Sequence, residues 1–144
     1  MASFIEDDLS DLLSSGGVTT TIFKEFLPPS PDDAILIRVT GAYPPIRAMG
    51  SPARSGGIGA GMIVIERPTV QVVRRSPSAL RAEAEMNYIF NFLDGVGDRT
   101  INGTRYNQIT ALQSPFPLAQ DETKRTERVC NFLIEKYVST ATST

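Results

Sequence analysis

The sequence predicts an α+β domain: a mostly antiparallel sheet with two helices packed on one face and a long Gly/Pro-rich loop. Three observations lead there. Several short segments carry apolar residues at a period of two, whereas two segments carry them at a helical period. The predicted elements run helix, two strands, long loop, one or two strands, helix, two strands, with no internal repeat and no regular strand–helix alternation. Finally, 144 residues with 41% apolar and 21% charged side chains suffice for one core and are far from a disordered composition.

Taken in order, Ser3 followed by Glu6 gives a capping signal, and Phe4, Ile5, Leu9, Leu12 and Leu13 are assigned to one helical face before Gly16 and Gly17. "TTTIFKEF", residues 19–26, is β-branched and aromatic and reads as a strand that ends at the donor-poor "PPSPDD". "AILIRVT", residues 34–40, alternates cleanly and predicts a second strand. Residues 41–61 lack any sustained period and are dense in Gly, Pro and Ser, so a long loop or arm is expected there.

"MIVIERPTVQVVRR" gives strand signals on both sides of Pro68, whose missing donor predicts an edge, a bulge or a break. Pro77 and Ser78 then initiate a helix whose core face is assigned to Leu80, Met86, Ile89, Phe90 and Leu93, with Gly95 suited to its end. Asn102-Gly103 between β-prone residues is a tight hairpin signal, which makes residues 105–112 a strand. In the last strand Cys130, Phe132, Ile134 and Val138 fall on one side, opposite Asn131, Leu133, Glu135 and Tyr137. Residues 1–138 are expected to form a single domain and residues 139–144 a flexible tail.

Composition removes several chemistries. The chain has no histidine, the usual proton shuttle near neutral pH and the commonest zinc ligand. Its single cysteine, Cys130, has no internal disulfide partner and sits in apolar alternation, which suits a buried inert thiol in a reducing compartment. No apolar run approaches the roughly 20 residues of a membrane-spanning helix, and the N-terminal stretch is acidic where a signal peptide is basic. The expectation is a soluble chain that makes no membrane contact and carries no secretion signal of its own.

Nor do the candidate motifs assemble into a site. "SGGIGAGM" lacks the spacing of a nucleotide loop and precedes a strand instead of a helix, which leaves a flexible contact arm as its reading. Adjacent acids at Asp7-Asp8, Asp32-Asp33 and Asp121-Glu122 have no third ligand at a metal-binding spacing. Asn102-Gly103-Thr104 fits a glycan acceptor, but the turn explains it. Arg74, Arg75 and Arg81 form a cluster that reads as a salt-bridged rim or, failing that, as a phosphate contact. No enzyme activity, cofactor or metal is expected.

Charge is uneven. Through Asp33 there are seven acids and one base, net -6; from Ala34 onward there are nine acids and thirteen bases, net +4. Eleven of the fourteen basic residues are arginine, whose planar fork suits paired contacts between subunits. The predicted 41–61 arm carries Ile46, Arg47, Met49, Arg54 and Ile58, followed by Met62, a mixture of adaptable apolar groups and arginines suited to an interface. Arg74 and Arg75 join that candidate interface, as do Asp121, Glu122 and Arg125 in the polar run before the last strand.

Five blocks, "ERPTVQVVRR", "LRAEAEMNYIFNFLDGV", "INGTRYNQITALQSPFPL", "DETKRTERVCNFLI" and, more weakly, "FLPPSPDDAILI" with "GAYPP", cover most of the chain. Taken in their order along the chain, they resemble the minor capsid or tail-terminator family of long-tailed bacteriophages. The resemblance implies an α+β virion protein made in the host cytoplasm. Its copies would form a ring, typically a hexamer, at the head-proximal end of the tail. Such a ring caps the tail tube, meets the head-completion or connector proteins, and lets DNA pass without specific binding. The alternatives are a head-completion or adaptor protein at the same joint, and a nucleic-acid-associated module using the arginine cluster.

Overall fold

The computed structural model describes residues 4–47, 63–118 and 124–138. Among them lie α1 (Ile5–Ser15), β1 (Ile22–Lys24), β2 (Ala34–Arg47), β3 (Ile63–Ser76), α2 (Ala79–Leu93), β4 (Arg99–Ile101), β5 (Thr104–Ala111), β6 (Phe116–Pro117) and β7 (Thr126–Tyr137). The strands form one sheet in the order β1, β2, β3, β7, β5, β4, with β6 added on β7. Every pairing is antiparallel except that of β1 with β2. The architecture is α+β, as the sequence predicts.

Alternation along the strands sends Ile35 and Ile37, Val70 and Val72, and Cys130, Phe132 and Ile134 to one face. There they meet Ile5, Leu9, Leu12 and Leu13 of α1 and Met86, Ile89 and Leu93 of α2 in a single core. On β5 the core residues are Tyr106 and Ile109, an odd spacing that a register shift between Tyr106 and Gln108 makes possible. Each fully buried Ile or Leu contributes roughly 1.5–3 kcal/mol from removing its surface from water. The opposite face is covered at one end, where Leu36, Val73 and Val129 pack under Leu27 and Phe116.

Local signals explain most element ends. Ser78 caps α2 by accepting from the Arg81 amide at 3.2 Å, and Gly95 takes a left-handed φ of 88° just past the helix. Asn102 and Gly103 both adopt positive φ, 48° and 84°, and turn β4 into β5.

Several expectations are corrected. Residues 41–47, expected to open a loop, extend β2, and residues 48–62 lie outside the described residues. The strand persists because Gly41, Ala42 and Tyr43 pair with Thr69, Pro68 and Arg67, while the ladder skips Pro44 and Pro45 at a register irregularity. Pro68 does not break β3, which is continuous; the β7 ladder omits Arg67 and Pro68 and resumes in register at Thr69 opposite Leu133. The 19–26 strand shrinks to three residues at a sheet edge.

The α1 cap position is Phe4, with no side-chain cap bond, while Ser3 lies outside the described residues. Phe4 is exposed rather than part of the core face, and so is Leu80. Leu80 and Ile89 are about two and a half helical turns apart, so they point in opposite directions. Of the expected polar approach to the last strand, residues 119–123 lie outside the described residues and Thr126, Glu127 and Arg128 are already part of β7, paired with Ser76, Arg75 and Arg74; the 139–144 tail lies wholly outside the described residues.

Candidate functional site

At the end of the sheet where β2 begins and β3 ends, four arginines hold the loop that precedes β2. Arg74 is only 2% exposed and lies on the helix-bearing face. Its Nε donates to Glu85 of α2, and its Nη1 donates to Asp33 at 3.2 Å and to the Arg75 carbonyl. Ser76 donates to the same Asp33 carboxylate at 2.7 Å and Arg81 at 2.9 Å. Burial pushes the Asp33 carboxyl up, but the hydrogen bonds from Ser76, Arg81 and Arg74 outweigh it and hold the group below the usual carboxylate range.

Arg75 and Arg125, also buried, grip the same loop through its backbone. Arg75 donates to the carbonyl of Pro31 at 2.6 Å, and Arg125 donates to the Pro29 carbonyl with Asp32 3.3 Å away. A rigid multi-donor fork satisfies several loop acceptors at once, which a lysine does not do. The Ser30-Pro31 peptide in this loop is cis. Thus three of the residues predicted for an interface, Arg74, Arg75 and Arg125, are committed to acceptors of their own chain, where they set the shape of residues 29–33.

The uncovered end of the sheet's other face carries a polar band. The Arg67 guanidinium lies 5.5 Å from the Tyr43 ring centroid, and its Nε is 3.4 Å from Glu135. That approach is an ion pair by distance without hydrogen-bond alignment, since the buried Nε has no hydrogen-bond partner. Glu135 also accepts from Asn107 at 2.8 Å, Tyr137 donates to Asn107 at 3.3 Å, and Arg105 sits 4.6 Å from the Tyr137 ring centroid. Arg105 completes the band with a two-pronged contact to Asp98, 2.9 and 2.7 Å.

Beside this band β2 and β3 project past α1 and leave a cleft of about 330 Å³, bounded by Ile5, Ala42, Tyr43, Pro45, Pro68 and Lys136 among others. Tyr43 and Ile46, at this end of β2, are 42% and 41% exposed. On α2, Leu80, Ala84 and Tyr88 follow one another at four-residue spacing on the solvent side, with Leu80 81% exposed and Tyr88 stacked on Phe92. An open groove of about 540 Å³ runs beside them, lined by Gly16, Val18 and Glu85 among others. Among the described residues these two apolar regions, one at the β2–β3 end of the sheet and one on a helix, offer surfaces suited to partners.

Of the remaining predicted interface residues, Ile46 pairs with Ile65 and Arg47 with Ile63 at the tip of β2. Met49, Arg54, Ile58, Met62, Asp121 and Glu122 lie outside the described residues. The sequence reading missed Tyr43, Arg67, Glu135, Leu80 and Tyr88. The signal for Leu80 is its odd phase relative to Ile89; Arg67 and Tyr43 carry none apart from the strand register that brings them together.

The chemistry found inside the chain is structural. Cys130 is fully buried, its thiol is pushed up to about 11 by burial and by Asp94, and it donates to the Gln113 carbonyl. Among the described residues no group of three His, Cys, Asp or Glu side chains is placed to hold a metal ion, and no helix is long and apolar enough to cross a membrane.

No curated protein matches this chain. A chain of a solved structure titled "Virion of native gene transfer agent (GTA) particle" shares its fold with a TM-score of 0.55 at 13% identity, over 93% of this chain and 95% of that one. The family model described as "Bacteriophage tail terminator protein" matches residues 12–138. The chain therefore belongs to the bacteriophage tail terminator protein family and is a structural component of the virion tail.

Proposed function

We propose that copies of this protein close into a ring, a hexamer, that caps the tail tube and joins it to the head-completion or connector proteins. The observation that carries this reading is the pair of unlike apolar surfaces left open on one subunit. A cyclic ring with more than two members needs two different complementary patches per copy, whereas a two-fold dimer needs only one. The Tyr43–Ile46 end of β2 with its cleft supplies one patch, and the Leu80, Ala84 and Tyr88 stripe with the groove beside it supplies a different one.

In this reading Ile46 and Arg47 belong to the contact surface, continued by Met49, Arg54, Ile58 and Met62 along the chain and joined by Asp121 and Glu122. Arg74, Arg75 and Arg125 act from within, by fixing the 29–33 loop. DNA passes through the bore without specific binding, a role that matches the commitment of Arg74 and Arg75 to acceptors of their own chain. The protein performs no reaction and needs no cofactor. Gold-labelled protein imaged in intact particles tests the assignment: label confined to the head-proximal end of the tail supports it, and label on the capsid shell or the distal tip overturns it.

A further inference from the structure

The tight turn that joins β4 to β5 is chemically special, because an Asn-Gly pair can rearrange without any other protein. The backbone nitrogen of Gly103, unhindered by a side chain, is able to attack the Asn102 side-chain amide carbon. A new N–C bond forms as the Gly103 amide gives up its proton to solvent, and the Cγ–Nδ2 bond breaks as the departing nitrogen takes up a proton, releasing ammonia and leaving a five-membered succinimide. Water then opens either carbonyl of that ring, giving aspartate or isoaspartate and adding one negative charge. Both turn residues are exposed, so water reaches them.

In the folded chain the nitrogen that must leave is occupied. Asn102 Nδ2 donates to Asp8 at 3.0 Å and to Asp11 at 2.7 Å. Both acceptors belong to α1, and Asp8 is fully buried and also accepts from the Tyr106 hydroxyl of β5. Loss of that nitrogen as ammonia forfeits both charge-assisted hydrogen bonds. Conversion also replaces a donor with a third carboxylate facing two others, so the product repels the helix that the amide had held.

We propose that Asn102 is a deamidation site kept silent by α1, and that its conversion is a one-way latch which prevents α1 from docking again on the β4–β5 turn. The relevance is to a virion component, which has no route to replacement after assembly. The inference stands on the Asn102, Asp8 and Asp11 contacts and is independent of how many copies a ring contains.

The test follows purified full-length protein at mildly alkaline pH by intact mass, peptide mapping and enzymatic detection of isoaspartate at residue 102. Three chains are compared: the parent, Asp11→Ala, and Val73→Ala as a similarly destabilised control on the opposite sheet face. The parent should convert far more slowly folded than in denaturant. Asp11→Ala should convert about tenfold faster than the parent when folded, the size of one lost hydrogen bond to a charged group. Val73→Ala should not. Equal rates in folded and unfolded parent, an unchanged rate in Asp11→Ala, or the same acceleration in Val73→Ala would each overturn the proposal. In the converted parent, hydrogen exchange should show α1 amides deprotected; full protection overturns the latch.

Discussion

Arg74 and Asp33 meet 3.2 Å apart, and with Glu85 they join three elements at one end of the molecule: the end of β3, the loop before β2, and α2. Arg74 is nearly inaccessible, while Asp33 and Glu85 are 36% and 22% exposed, so the carboxylates recover some hydration if the arginine is removed. Replacing Arg74 with alanine should cost roughly 3 kcal/mol, the lower end for breaking a buried pair. Urea unfolding of the parent and Arg74→Ala checks it through the midpoint, with an unchanged slope.

The pH dependence has a defined sign. The Asp33 carboxyl is held below its ordinary value of 3.8, so the unfolded chain takes up the proton more readily than the folded one. The stabilisation is fully present above the unfolded value and fades as pH falls through the lower folded one. Asp33→Asn should therefore flatten the acid limb of a stability profile below about pH 4. An acid limb identical to that of the parent would show that Asp33 contributes nothing to it.

Two apolar residues of one helix should behave oppositely. Ile89 is fully buried, and Ile89→Ala should cost about 2–5 kcal/mol of subunit stability. Leu80 is 81% exposed, and Leu80→Asp should change subunit stability by about 0.5 kcal/mol or less while reducing self-association. Thermal melts in dilute solution together with sedimentation at higher concentration separate the two effects.

Cys130 should be unreactive while the protein is folded. Its thiol is sealed in the core and shifted to about 11, so at pH 8 little thiolate exists and no reagent reaches it. Iodoacetamide should label it at the rate of unfolding, measured by intact mass with and without denaturant.

The parts of the fold that follow from local chemistry are legible in the amino-acid sequence. Asn102-Gly103 specifies its hairpin because few residue pairs adopt positive φ twice in succession. The period of two through Cys130, Phe132 and Ile134 marks β7, since each of those side chains must reach the same core. Residues 41–47 are misread because Pro44 and Pro45 look like a loop in isolation, and only the partner strand β3 reveals that the ladder skips them. Arg74 is assigned to a rim or an interface because an arginine beside another arginine gives no hint that Asp33, forty-one positions earlier, will neutralise it. The burial of Asp8 leaves no sign beside Asp7 for a related reason: its partners, Tyr106 and Asn102, lie far along the chain. Long-range pairing of charges, unlike periodicity, leaves no trace in a short window of sequence.

The proposed ring requires unlike surfaces of identical copies to mate and close. Native mass measurement of the purified full-length chain at high concentration, read together with negative-stain images, tests it most directly. The expected result is one closed species of six copies that appears as an annulus with an open bore. A chain that stays monomeric at high concentration, or stops at a two-fold dimer, would contradict it.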